Sequence, residues 1–187
     1  MRTTPVMLGL LAGCSAALLA PGADTVAFDD WTRTGEAHWR PTAEGIAAGP
    51  GGGAGFLVSP GWYADFRLTV EFRVDEGTNS GVFIRCRDRA RITPFDCHEI
   101  NIWDNHPNQD FRTGSIVTKA VPLARVDTLG RDNRLVIEAE GARVTVTVNG
   151  VVTAEHADPG LLSGHIALQR AEQGRVEFRN LRIEPLR

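Results

Sequence analysis

Lysine is nearly missing from this chain of 187 residues: Lys119 stands alone among 20 basic side chains. Positive charge is therefore carried by arginines, which alternate with acids and leave a net charge of -3. No basic stripe remains to follow a phosphate backbone, which excludes nucleic acid as a partner. No CxxC pair is present, so a zinc site of closely spaced thiolates is excluded as well. Sustained helical periodicity is also lacking after residue 25, which disfavours α/β folds with parallel sheets. Internal repeats are absent, and the only compositional break is the Gly-rich patch Gly49 to Gly55. What is present is ordinary globular material, 42% hydrophobic and 23% charged. Its length suits one domain with a real core.

The first residues read as a targeting segment. Arg2 is followed by an almost wholly apolar run from Pro5 to Ala20, the pattern of a secretory signal. It is too short and too rich in Gly and Ala for a membrane span. Residues 1–23 are thus expected to be a signal peptide, with one domain over 25–187. Leu11-Ala12-Gly13-Cys14 matches the bacterial lipobox, which would place a lipid anchor on Cys14. Ordinary cleavage between Ala20 and Ala23 is the alternative, because apolar residues continue past the cysteine. Either way the expectation is export, to the periplasm or to a membrane as a bacterial lipoprotein. In an oxidising compartment Cys86 and Cys97 form an even pair open to a disulfide, with two buried thiols as the alternative. Side-chain parity counts against the bridge and calls for a break in the strand near Asp96.

Strand signals are nearly continuous from Thr25 onward. In Asp65 to Val74 the residues Phe66, Leu68, Val70, Phe72 and Val74 share one face, as a half-buried strand requires. The alternation recurs in Leu135 to Glu140 and Val144 to Val148, and Asn149-Gly150 supplies a type I′ turn into Val151-Val152. Leu181-Arg182-Ile183 ends the series. Many short strands separated by turns predict an all-β sandwich or jelly roll. One of its two antiparallel sheets is expected to be concave, with a polar outer face.

Residues 79 to 119 carry the chemistry. Val82, Ile84 and Cys86 hold the apolar parity, so Phe83, Arg85 and Arg87 are expected on the opposite face. Ile100 and Ile102 likewise place Glu99, Asn101 and Trp103 outward, with Asp104 at the strand end. An arginine, a carboxylate, an amide and aromatics on one surface suit a sugar, whose ring has apolar faces and hydroxyl edges. A cross-strand Arg–Glu pair by itself is ordinary sheet surface. The two aromatics tip the reading toward a binding face. His98 falls on the apolar parity, as a core or edge histidine does.

The ordered series Asn79-Ser80-Gly81-Val82-Phe83-Ile84-Arg85, Glu99 to Asn105, and Thr113-Gly114-Ser115-Ile116 resembles the 3-keto-disaccharide hydrolase domain family. So do Asn149-Gly150, Gly164 to Gln169, and Phe178 to Ile183, with Phe28 to Trp31 and Tyr63 to Phe66 upstream. Coverage runs from about Val26 to Ile183. Two departures stand out: Gly130-Arg131-Asp132-Asn133 replaces a Gly-Glu-Trp-Asn turn, and Glu172-Gln173-Gly174 replaces a His-Gly pair.

The resemblance implies a concanavalin-like, laminarin-G-like jelly roll acting on 3-keto-glycosides as a lyase, hydratase or apparent hydrolase. Such chemistry needs a base, an enolate stabiliser and a leaving-group acid. The candidates are Glu99 as base, Arg85 as stabiliser, and Asp104 or His165 as acid. Asn79, Phe83, Asn101, Trp103 and Gln169 would hold the sugar. A hard divalent cation at Glu99 or Asp104 would suit the oxygen ligands there. The rival readings are a non-catalytic lectin-like module of the cell envelope and a structural envelope protein.

Overall fold

The computed structural model describes residues 25–171 and 173–186. The expected signal segment, Cys14 and Glu172 lie outside the described residues.

Twelve strands form two antiparallel sheets. The seven-stranded sheet runs β10-β9-β8-β5-β12-β3-β2. It comprises β10 (Val151–Ala157), β9 (Arg143–Val148), β8 (Asn133–Glu140), β5 (Phe66–Val74), β12 (Val176–Pro185), β3 (Gly45–Ala48) and β2 (Trp39–Pro41). The five-stranded sheet runs β1-β4-β11-β6-β7. Its strands are β1 (Thr32–Gly35), β4 (Gly55–Val58), β11 (His165–Arg170), β6 (Ser80–Cys86) and β7 (His98–Ile102). No α-helix occurs among the described residues; a 3-10 turn spans Gln109–Phe111. The all-β sandwich expected from the alternations is the fold observed.

Sequence dictates most of this directly. The apolar parity of β5 faces inward, where Phe66, Leu68, Val70 and Phe72 are at most 1% exposed. These side chains meet Val82, Ile84, Ile100, Ile102, Ile166 and Leu168 from the other sheet in one inter-sheet core. The β9–β10 turn has φ of 51° at Asn149 and 82° at Gly150. Two positive values are what a type I′ hairpin demands, and what this dipeptide tolerates.

One local irregularity changes the site. Between β11 and β6 the register passes from His165↔Cys86 to Ala167↔Phe83, so β6 carries an extra residue there. Arg85 sits at the bulge with φ of 56°. Such a bulge resets the alternation beyond it. Cys86 therefore joins Phe83, Val58, Ala167 and Cys97 in a small apolar cluster outside the main core. There Cys86 and Cys97 are disulfide-bonded, with Cα atoms 4.5 Å apart. The parity objection to this bridge disappears at Arg85; residues 94–96 also form a turn, and β7 begins only after Cys97.

Candidate functional site

The outer face of the five-stranded sheet is set by register. One row across it reads Phe56, Gln169, Gly81, Asn101, and the next Val58, Ala167, Phe83, Glu99. The loop between β6 and β7 folds back over the second row. Ile92 packs against the cluster that holds Val58, Phe83 and Ala167, and Arg89 donates to the Thr32 hydroxyl on β1. The disulfide staples the base of this loop. Asn79 and Trp103, at the far end of this face, are half-buried.

Glu99 lies where cover and opening meet. It is 8% exposed, and no hydrogen bond to its carboxyl is made among the described residues. Burial without a compensating cation pushes its pKa up to about 7. A Cβ on Gly81 would lie 3.5 Å from both Glu99 Oε1 and Gln169 Oε1. The two oxygens thus converge over a residue with no side chain. Gln169 Oε1 is buried and has no hydrogen-bond partner among the described residues. Glycine inside a strand marks a place where something approaches the backbone closely, and here that bare floor lies beneath two polar oxygens.

The next row adds walls. Asn79, Trp103, Ala54, Gly77, Ala171 and Gln173 line a cavity of about 390 Å³. The Trp103 ring is held edge-to-face against His106 at 4.4 Å. Glu99 and Gln169 meet over Gly81, and Asn79 and Trp103 line the cavity farther along the same face. A larger cavity of about 540 Å³ lies between residues 25–31 and the β2–β3 turn, and no candidate site residue lines it.

Several expected residues are elsewhere. Arg85 is fully buried and does not reach the outer face, because the bulge turns it away. Its guanidinium donates to the carbonyls of Gly141 (2.7 Å), Leu161 (3.0 Å) and Ala64 (3.0 Å), and contacts Asp65 at 3.4 Å. It ties three loops together. Asp104 is also committed, accepting from the Thr128 amide at 2.5 Å and hydroxyl at 2.9 Å. Both of its oxygens are thus engaged within the protein. Asn101 has the expected parity, but its amide donates to the Phe111 carbonyl and accepts from the Ile102 amide. It shapes the loop instead of holding a sugar. Phe83 points outward yet is 1% exposed, covered edge-to-face by Phe56 at 5.3 Å. His165 lies on the outer face beyond the covered row, its Nδ1 2.8 Å from the Gly61 carbonyl. Phe56, Ile92 and Gln173 were not foreseen. The glycine interrupting the β6 pattern was the one signal of a close approach there.

A cation cluster exists on the inner side. Ligand atoms of His98, His156 and Asp158 lie within 4.8 Å of one another. Lys119 Nζ lies 3.2 Å from His98 Nδ1 and 3.5 Å from Asp158 Oδ2, and donates to the Cys97 carbonyl at 2.9 Å. The ammonium stands where a metal ion would. Burial, reinforced by Lys119, holds the His98 pKa down to about 4, so the imidazole is neutral.

Comparison with solved structures gives the same architecture. A candidate glycosyl hydrolase of Parabacteroides distasonis ATCC 8503 superposes with a TM-score of 0.69 at 24% identity, over 79% of this chain and 90% of that one. A second from the same organism has a TM-score of 0.69 at 14% identity, over 83% and 89%. The carbohydrate binding module CBM66 of Bacillus subtilis has a TM-score of 0.60 at 19% identity, over 82% and 94%. At these identities the likeness is one of fold. Among curated proteins none matches the sequence. The profile of the 3-keto-alpha-glucoside-1,2-lyase-like domain matches residues 18–184, and the chain belongs to that family.

Proposed function

We propose that this protein cleaves 3-keto-glycosides by elimination at C1–C2, with Glu99 as the base. The observation that carries the reading is a desolvated carboxyl with a pKa near 7, facing a side-chain-free floor beside an aromatic cavity. Strongly shifted, unpaired carboxyls in clefts are typical of acid–base sites. Family membership supplies the substrate class.

The residues support an economical sequence of steps. A ketone at C3 acidifies the hydrogen on C2. Glu99 takes that proton, and the C2–H electron pair becomes the C2–C3 enolate. The enolate collapses to a C1–C2 double bond and expels the aglycone oxygen from C1. The proton held by Glu99 can then pass to that oxygen, because a pKa near 7 suits both directions of transfer. Water adding across the double bond would complete a net hydrolysis. With Arg85 buried elsewhere, enolate stabilisation falls to neutral donors, the amides of Gln169 and Asn79. Trp103 offers a face for the ring, worth about 1 kcal/mol beyond burial. Export remains part of this reading: the apolar N-terminus and the disulfide fit an enzyme working outside the cytoplasm, with or without a lipid on Cys14.

The second reading is a lectin-like module, favoured by the withdrawal of Arg85 and Asp104 from the face. One experiment separates the two. The pure protein is incubated with a 3-keto-glucoside, and products are followed by mass spectrometry. Glu99→Gln should lower turnover by about 10²–10⁴-fold with little change in affinity. Absence of turnover in the parent, with affinity retained, would establish the binding module instead.

A further inference from the structure

A second surface at the other end of the five-stranded sheet has the chemistry of a sugar platform. Trp62 is 56% exposed, whereas Trp31 and Trp39 are 6% and 3% exposed. Its backbone is pinned on both sides. The Ser59 hydroxyl donates to the Gly61 carbonyl at 3.3 Å, and Tyr63 and Gly164 exchange two backbone hydrogen bonds of 2.9 Å. The Tyr63 ring lies over Gly61 and packs edge-to-face on Phe66 at 5.9 Å. The indole is thus presented on a rigid loop, and its exposure does not come from slack in the chain.

The groups around Trp62 are those that recognise hydroxyls. His165 packs edge-to-face on it at 5.1 Å. His165 Nδ1 donates to the Gly61 carbonyl at 2.8 Å, which leaves Nε2 uncommitted by that bond. On the other side a cavity of about 480 Å³ is walled by Trp62, Tyr63, Phe66, Ile183 and Pro185, with Asp65 at its margin. The Asp65 side chain is 43% exposed. One oxygen accepts from the Gly141 amide at 2.9 Å and contacts Arg85; the other makes no hydrogen bond among the described residues. An aromatic face beside polar oxygens and nitrogens fits a pyranose, with C–H groups on the ring and hydroxyls at the rim. The volume admits a disaccharide.

This surface is set apart from Glu99 along the sheet. The apolar cluster of Val58, Phe83, Cys86, Cys97 and Ala167, with Ile92 packed against it, lies between His165 and Gln169 on the outer face.

We propose that Trp62, with Asp65 and His165, forms a second, non-catalytic carbohydrate-binding site that retains a glycan chain near the Glu99 cleft. It serves either an enzyme or a lectin, so it stands independently of the elimination chemistry.

The test uses unoxidised disaccharides, cellobiose and maltose, which carry no ketone for Glu99 to act on. Calorimetry and tryptophan fluorescence follow their titration into the parent protein, Trp62→Ala, Trp62→Phe and Glu99→Gln. Binding of at least one disaccharide at millimolar strength is expected. It should weaken roughly ten-fold in Trp62→Ala, less in Trp62→Phe, and not at all in Glu99→Gln. Turnover of a 3-keto-glucoside by Trp62→Ala should equal that of the parent. The proposal is overturned if neither disaccharide binds, if Trp62→Ala binds as the parent does, or if Glu99→Gln abolishes binding. It is equally overturned if Trp62→Ala alters sedimentation and leaves sugar affinity unchanged, which would make the patch a contact between copies of the chain.

Discussion

The outer faces of the two sheets are built from the same alternation and end in opposite conditions. On the seven-stranded sheet the outward residues include Arg67, Glu71, Arg73, Arg134, Glu138 and Arg179, exposed or half-buried. Arg67 meets Glu138 across the strands, and Arg179 meets Asp132 at 2.9 Å. Every carboxylate in those pairs has a cation and water. On the five-stranded sheet the outward residues lie beneath a returning loop stapled by Cys86–Cys97, and Glu99 has neither. Alternation decides which way a side chain points, but only what lies above the face decides whether its charge is cheap. A surface pair contributes little in water, while an unpaired carboxyl under cover keeps its proton to near pH 7.

The largest effect should come from Arg85, which combines full burial with charge. Arg85→Ala removes the donor to three carbonyls and leaves Asp65 without its cation. A loss of about 3–5 kcal/mol is expected, read as a lowered midpoint in urea. Arg85→Lys should recover only part of it, because one ammonium cannot span the fork of acceptors. If Arg85→Ala unfolds like the parent but abolishes turnover, the residue belongs to the reaction after all.

Next in size is the pH dependence conferred by Glu99. Its folded pKa, near 7, lies above its unfolded value of about 4.5. The native state therefore binds the proton more tightly, and stability is full below the unfolded pKa. It is lost as pH rises through the folded one, with a total on the order of 3 kcal/mol. Denaturation from pH 4 to 8 should show the parent losing stability across this window relative to Glu99→Gln, which carries no such proton. Matching slopes in the two proteins would mean that water reaches the carboxyl and that the loop does not desolvate it.

These effects show where sequence was a sufficient guide. Period-two alternation located β5, β8 and β9, and Asn149-Gly150 located the β9–β10 hairpin, because both signals are local. Parity also placed Glu99 and Trp103 on one face, since β7 runs unbroken; Asn79 and Gln169 were candidates that came with the family resemblance. Parity failed for Arg85 and for the cysteine pair at the same point. A bulge at a non-glycine residue leaves no mark in the pattern of apolar positions, yet it inverts every assignment beyond it. Asn101 and Asp104 illustrate a different limit. Both are near the expected face, but Phe111 and Thr128 arrive from loops farther along the chain and take their hydrogen bonds. The partner of a polar group is a tertiary fact.

The smallest expected effect lies on the solvated face, and it tests the other half of the comparison. Arg67 and Glu138 are in register on β5 and β8, and Glu138 Oε1 accepts from Arg67 Nε at 2.9 Å and from a second guanidinium nitrogen at 2.5 Å. The geometry is as good as any ion pair in the molecule. Both side chains are nonetheless well exposed, at 47% and 39%, so water competes for each charge and ordering the two long side chains offsets part of the attraction. A double-mutant cycle of Arg67→Ala and Glu138→Ala should give a coupling of about 0.2–1 kcal/mol, shrinking further in 1 M salt as screening shortens the reach of both charges. Arg85→Ala should keep most of its cost under the same salt, because ions do not enter its enclosure. A coupling of several kcal/mol at Arg67–Glu138, insensitive to salt, would mean that the seven-stranded sheet's outer face is also covered in solution, and the contrast between the two faces would fail.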